Sequence, residues 1–260
     1  MAAIRSAFND LQPNYQALLG DLSIASQDEL KSLWRLASFM AFATSEFHFA
    51  SDMMLVNNEY ARRKIVPPFE LKERLLASLI GFRRFDEARS YAAKAELAIE
   101  YIPAMEGAAQ NLGEGLSILK VDPDKGVLLR KKVNLDDEVH VFVVSFIGCT
   151  FSRRAADAIE KHAVLSSFMR ERSTWIILPG LLYFNDVLAW NRKHPSTGFS
   201  YVDGMESWGF IDDWSTPIFY FVKRGKIVLK LKGWPDDAAG ISGLLEAMAA
   251  SGYDGKAALH

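Results

Sequence analysis

The sequence has one cysteine, Cys149, in 260 residues. A single thiol excludes an internal disulfide and any metal cluster built on several cysteines. Long apolar runs are missing as well. No stretch approaches the roughly 18 apolar residues a spanning helix needs, and the first twenty residues hold no apolar core of signal-peptide length. The expectation is a chain without a membrane span, cytoplasmic by default. Histidine is sparse: His48, His140, His162, His194 and His260 show no ligand spacing, so no metal site is expected. Glu46 and His48, two apart, are assigned to different helix faces and to core packing. There is no G-x-G-x-x-G, no P-loop and no G-x-S-x-G, so no cofactor is expected. Excess charge is lacking too. A formal net charge of −2 argues against nucleic acid or an anionic membrane as partner.

What is present is the material of a globular chain, half hydrophobic and about a quarter charged, long enough for two domains. Residues 1–114 read as an all-helical domain. Ser26 and Glu29 have the spacing of a capping box. Apolar residues then recur at three- and four-residue steps, which predicts one long helix or two consecutive ones over 27–63, stopped by Pro67-Pro68. Further helices are predicted over 69–80 and 85–101. The aromatic-rich run Phe39 to Phe49 reads as helix core; if partly exposed, it would be a surface for a protein or an apolar ligand. The pair of helices around Gly81 and Phe85-Asp86-Glu87-Ala88 is similar to a tetratricopeptide pair. Only one copy is legible, where a stable array needs about three. Asn111 to Gly115 is read as the linker.

Residues 115–260 alternate strands and helices. Asp122-Pro123-Asp124-Lys125-Gly126 predicts a hairpin turn between strands at 116–121 and 127–133, because proline sets φ and glycine supplies φ > 0. Val139 to Phe146 is apolar except for His140 and Ser145, without strict alternation, as in a strand buried on both faces. Gly148 breaks it and Cys149 follows, just before a helical run. Strands are also expected at 174–178 and 199–202, helices at 187–193 and around 206–213, then a final hairpin and a helix over 240–250. A thiol at a strand end and helix start faces unpaired N–H groups and the positive end of the helix dipole, which stabilise a thiolate.

At Cys149-Thr150-Phe151-Ser152 the chain resembles the thioredoxin-like proteins, whose redox motif is C-x-x-C at the end of a central strand. Thr216-Pro217, followed by a hairpin through Gly225 and ending near Gly233-Trp234, resembles the family's threonine and cis-proline loop. A hairpin before the central strand, and an extra helix and strand after the cysteine helix, resemble the TlpA/ResA branch. The likeness spans roughly 116–250. It implies an α/β thioredoxin-like fold, with a central mixed sheet flanked by helices, preceded by the all-α domain.

The resemblance also implies roles. Cys149 would be the nucleophile of a thiol-disulfide oxidoreductase. Ser152 stands where the second thiol would be, so release would need an external thiol; the plainer reading is that Ser152 caps the helix. Thr216 and Pro217 would present backbone to a substrate segment. Phe151, with Trp208 or Trp214, would form an aromatic wall beside it, Trp214 being assigned to substrate. Arg153 and Arg154 would depress the thiol pKa, unless they simply form a solvated helix face. Val143 stands where the family has a buried acid. The partner implied is a protein client or a small thiol, and a Cys149–Cys149 homodimer is also allowed. The alternative is a redox-silent module that kept the platform for binding proteins.

Overall fold

A computed structural model describes residues 2–44, 46–97, 102–106, 115–177, 183–204 and 206–253. The chain divides into two compact units, Met1–Ile102 and Pro103–His260.

The first unit is helical: α1 (Ala2–Gly20), α2 (Gln27–Thr44), α3 (Phe47–Arg62), α4 (Phe69–Gly81) and α5 (Phe85–Ala95). The start of α2 is a reciprocal box. Ser26 N–H donates to the Glu29 carboxylate at 2.7 Å, and Glu29 N–H donates to Ser26 Oγ at 3.3 Å. The apolar stripes of α2, α3 and α4 supply the core, with Leu30, Trp34, Met53, Tyr60 and Leu75 fully buried. Tyr15 joins α1 to α3 by donating its hydroxyl to Asp52 at 2.7 Å. The predicted 27–63 segment is two helices, since Glu46 is extended before α3. There His48 Nδ1 lies 3.5 Å from a Glu46 oxygen and both side chains reach solvent, which corrects their assignment to opposite faces and to the core. Glu46 precedes the helix, so helical spacing does not govern the pair. The aromatic run is only partly core: Phe49 is buried, whereas Phe39 and Phe42 are exposed. The fifth helix ends at Ala95, earlier than predicted, where Glu96 turns left-handed at φ 55°.

The second unit contains an eight-stranded mixed sheet: β1 (Met105–Glu106), β2 (Ser117–Asp122), β3 (Val127–Lys132), β4 (His140–Ser145), β5 (Ser173–Ile177), β6 (Phe199–Val202), β7 (Ile218–Lys223) and β8 (Lys226–Lys232). Their order across the sheet is β1-β3-β2-β6-β5-β4-β7-β8. Strand β1 lies inside the stretch read as helical; residues 107–114, most of the expected linker, fall outside the described residues. The hairpin β2–β3 turns as predicted. The Asp122 carboxylate accepts the N–H groups of Asp124 and Lys125, and Gly126 takes φ 68°. Strands β4, β5 and β6 are parallel, and β7 and β8 continue antiparallel from β4.

Among the described residues, four helices belong to this unit: α6 (Thr150–Lys161), α7 (Ala163–Arg172), α8 (Phe184–Lys193) and α9 (Asp237–Ala250). The single helical run predicted after Cys149 breaks at His162, whose ring accepts the Leu165 N–H and caps α7. The helix expected over 206–213 is one 3₁₀ turn at Glu206–Trp208. One sheet face carries an apolar cluster of Phe142, Val144, Ile176, Val202, Ile218 and Tyr220, against which Trp208 and Ile211 are packed. Burying both faces of β4 is what positions the turn that follows it.

Candidate functional site

Strand β4 ends at Ser145, and a tight turn closes behind it: Cys149 N–H donates to the Phe146 carbonyl at 2.9 Å. An added Cβ at Gly148 would meet the Phe146 ring at 2.6 Å, so this turn favours a residue without a side chain. Cys149 itself is extended (φ −81°, ψ 119°) and is the N-cap of α6; its carbonyl takes the first helical bond, from Arg153 N–H at 3.0 Å. This corrects the reading of Ser152 as the cap. Ser152 is the third helical residue, almost completely buried, and its hydroxyl has no conventional hydrogen-bond partner among the described residues.

The half-buried Cys149 thiol lies 3.5 Å from the Thr216 carbonyl oxygen. The Thr216–Pro217 peptide is cis. Pro217 is tied to the end of β8 by Gly233 N–H, which donates to its carbonyl at 2.8 Å. The second unit has a thioredoxin-like fold. Its parallel core strands, antiparallel closing hairpin, strand-end cysteine and facing cis-proline loop carry that assignment.

No family profile matches the sequence, and no curated protein does. Among solved structures, a thioredoxin-like protein from Bacteroides caccae aligns over 84% of this chain and 77% of its own, at 13% identity and a TM-score of 0.34.

Two opposing effects set the thiol's acidity. Burial raises its pKa, but the Thr216 hydroxyl, the Ser152 N–H and hydroxyl and the Phe151 N–H together bring it below the ordinary value. These donors favour the charged sulfur, as at any helix start. Arg153 and Arg154, expected to depress this pKa, are not among the leading contributors. Arg154 instead reaches Asp237 at the start of α9, 3.3 Å away.

The aromatic wall differs from expectation. Phe151 is half exposed beside the thiol. Trp214 is partly buried against the apolar cluster, and Trp208 lies inside that cluster, edge-on to Phe142 at 5.2 Å, so Trp208 cannot face a substrate. A pair that sequence reasoning missed stands in the cysteine turn: the Phe146 and Tyr183 rings, 5.7 Å apart, with Tyr183 half exposed. Their 37-residue separation left no local signal.

The loop presenting Thr216 is braced by residues that sequence reasoning also missed. The Tyr220 hydroxyl lies 2.8 Å from the Asp212 carboxylate and accepts Asp213 N–H at 3.1 Å; Lys230 and Lys232 pair with Asp212 and Asp213. Lys232 and the Ser215 N–H hold the Asp213 carboxyl well below the usual carboxylate range. Val143, at the position of the family's buried acid, is fully buried and carries no proton. Among the described residues no group of histidine, cysteine and carboxylate side chains is arranged to hold a metal ion, and no helix is long and apolar enough to cross a membrane.

Proposed function

We propose that this chain is a monothiol thiol-disulfide oxidoreductase of the TlpA/ResA-like type, with Cys149 as its nucleophile and a protein or small thiol as its partner. The observation that carries the reading is the seating of the Cys149 sulfur against Thr216 and the first amides of α6, where its pKa is lowered. The Cys149 thiolate would attack one sulfur of a mixed disulfide, forming a Cys149–S–S bond and releasing the other sulfur as thiolate. A second thiolate, such as glutathione from a reducing cytoplasmic pool, would then attack that bond and leave as a disulfide, returning Cys149 to its thiolate. Ser152 has no sulfur and cannot supply the second thiol. The cis loop at Thr216-Pro217 would hold substrate backbone, with Phe151 and Trp214 beside it. The extra helix α8 and strand β6 before the cis loop support the branch assignment. The helical unit, tetratricopeptide-like in its α4–α5 pair, would select the client.

A redox-silent binding module is the second reading, favoured by the missing second thiol and by Val143. The pH dependence of Cys149 alkylation by iodoacetamide separates the two. A midpoint below the free-thiol value of about 8.5, with fast labelling of the folded chain, is expected. Labelling that appears only on unfolding would overturn the enzyme reading.

A further inference from the structure

The apolar cluster fills only part of its sheet face; the remainder is polar. Directly paired residues share a face of a sheet. Lys131 is opposite Ile118 and Lys120 is opposite Ser200. Ser200 is in register with Ile176, and Thr174 with Phe142. Ile118, Ile176 and Phe142 belong to the cluster, so Lys131, Lys120, Ser200, Thr174 and His140 (two residues before Phe142) lie on its face. All five line one open cavity of about 500 Å³, together with Ile118, and the cavity continues past the strand ends to Val121, Trp175 and Phe199 of the opposite face. This is the size of a small-molecule site. It lies at the His140 end of β4, whereas Cys149 follows the Ser145 end.

The lining is strongly cationic. Its one carboxylate is Glu171, against three lysines and two arginines. The arginines are occupied: Arg172 by Asp136 and Glu138, Arg170 by the Ser196 hydroxyl at 3.2 Å. Lys120 and Lys131 form no ion pair with any described residue, and the Ser200 hydroxyl has no hydrogen-bond partner among them although the residue is buried. The Ser200 hydroxyl opens onto the cavity, and a lining with three lysines against a single carboxylate attracts an anion. The far end is different in kind. His140 Nε2 is paired with Thr174 Oγ1 at 2.8 Å, and burial keeps the imidazole neutral at pH 7, so this pair offers only uncharged hydrogen bonds.

We propose that this cavity binds an organic anion, its acid group held by Lys120 and Lys131 and its apolar body laid along Ile118 toward the His140–Thr174 pair. The site is independent of the Cys149 chemistry. Calorimetric titration of the full chain with decanoate, with phenyl phosphate and with uncharged decanol tests it. At least one of the two anions binds saturably and one to one. The double substitution Lys120→Glu/Lys131→Glu weakens that binding at least tenfold, and decanol binds at least tenfold more weakly than decanoate. Both lysines are on the surface, so the variant melts as the parent does; if it does not, Lys120→Gln/Lys131→Gln carries the same test. Failure of both anions to saturate at millimolar concentration, unchanged affinity in the variant, or equal affinity for decanol overturns the proposal.

Discussion

The Cys149 sulfur and the Thr216 carbonyl oxygen, 67 residues apart in sequence, lie 3.5 Å apart. The carbonyl accepts the S–H, and the side chain of the same threonine is the strongest influence lowering the thiol pKa. Removing the hydroxyl therefore shifts the balance in one direction. In Thr216→Val, Cys149 alkylation at neutral pH slows several-fold and its pH midpoint moves up, since a hydrogen bond to a charged group is worth roughly 1.5–3 kcal/mol. Iodoacetamide rates across pH, wild type against variant, check this.

Ser152→Cys would place a second thiol three residues along α6 from the first, within reach of a disulfide between a helix start and its first turn. Mild oxidation then gives an internal disulfide, read by mass spectrometry as the loss of two hydrogens and of both free thiols. Reduction of a test disulfide by this variant loses its dependence on added monothiol.

His140 links stability to pH. Burial lowers its pKa from 6.5 to about 4, so between those values the unfolded chain holds a proton that the folded chain does not. The stabilisation is fully present above about pH 6.5 and is lost as pH falls toward 4, by roughly 3 kcal/mol at most. Denaturant melts at pH 7 and pH 5 show the drop in wild type, and His140→Gln flattens it.

Gly240 packs against the face of Trp234. A Cβ there would meet three ring atoms at 2.6 Å, and the ring is itself buried. Gly240→Ala gains helix propensity, but overpacking dominates and costs about 1–3 kcal/mol. A lowered melting temperature measures the cost.

In the helical unit, Ser26→Ala removes the donor and acceptor that Ser26 exchanges with Glu29. A loss of about 1 kcal/mol is expected, typical for an N-cap. Glu29→Gln, which keeps the reciprocal geometry, loses less. Denaturant melts of both variants compare them.

The capping box, the Asp122–Gly126 turn, the twice-buried strand before Cys149 and the loop at Thr216-Pro217 were legible because each is a local device. The residues that close the turn or cap the helix lie within four positions of one another, and backbone geometry leaves them few alternatives. Helix ends such as Ala95 and the break at His162 were not legible. A left-handed residue like Glu96, or a ring nitrogen used as a cap, carries no compositional mark.

The sequence by itself determined most of the strands, helices and turns, and hence that the only thiol stands at a strand end. Tertiary structure decided what surrounds that thiol. It set Thr216 against the sulfur, drew Arg154 away to Asp237, sank Trp208 into the core and put Tyr183 against Phe146. It also aligned Lys120, Lys131, Ser200, Thr174 and His140, from five strands, on one sheet face. The physical reason is range. Turn and cap chemistry acts between neighbours along the chain, whereas electrostatic and packing partners are set by which strands pair and in what register.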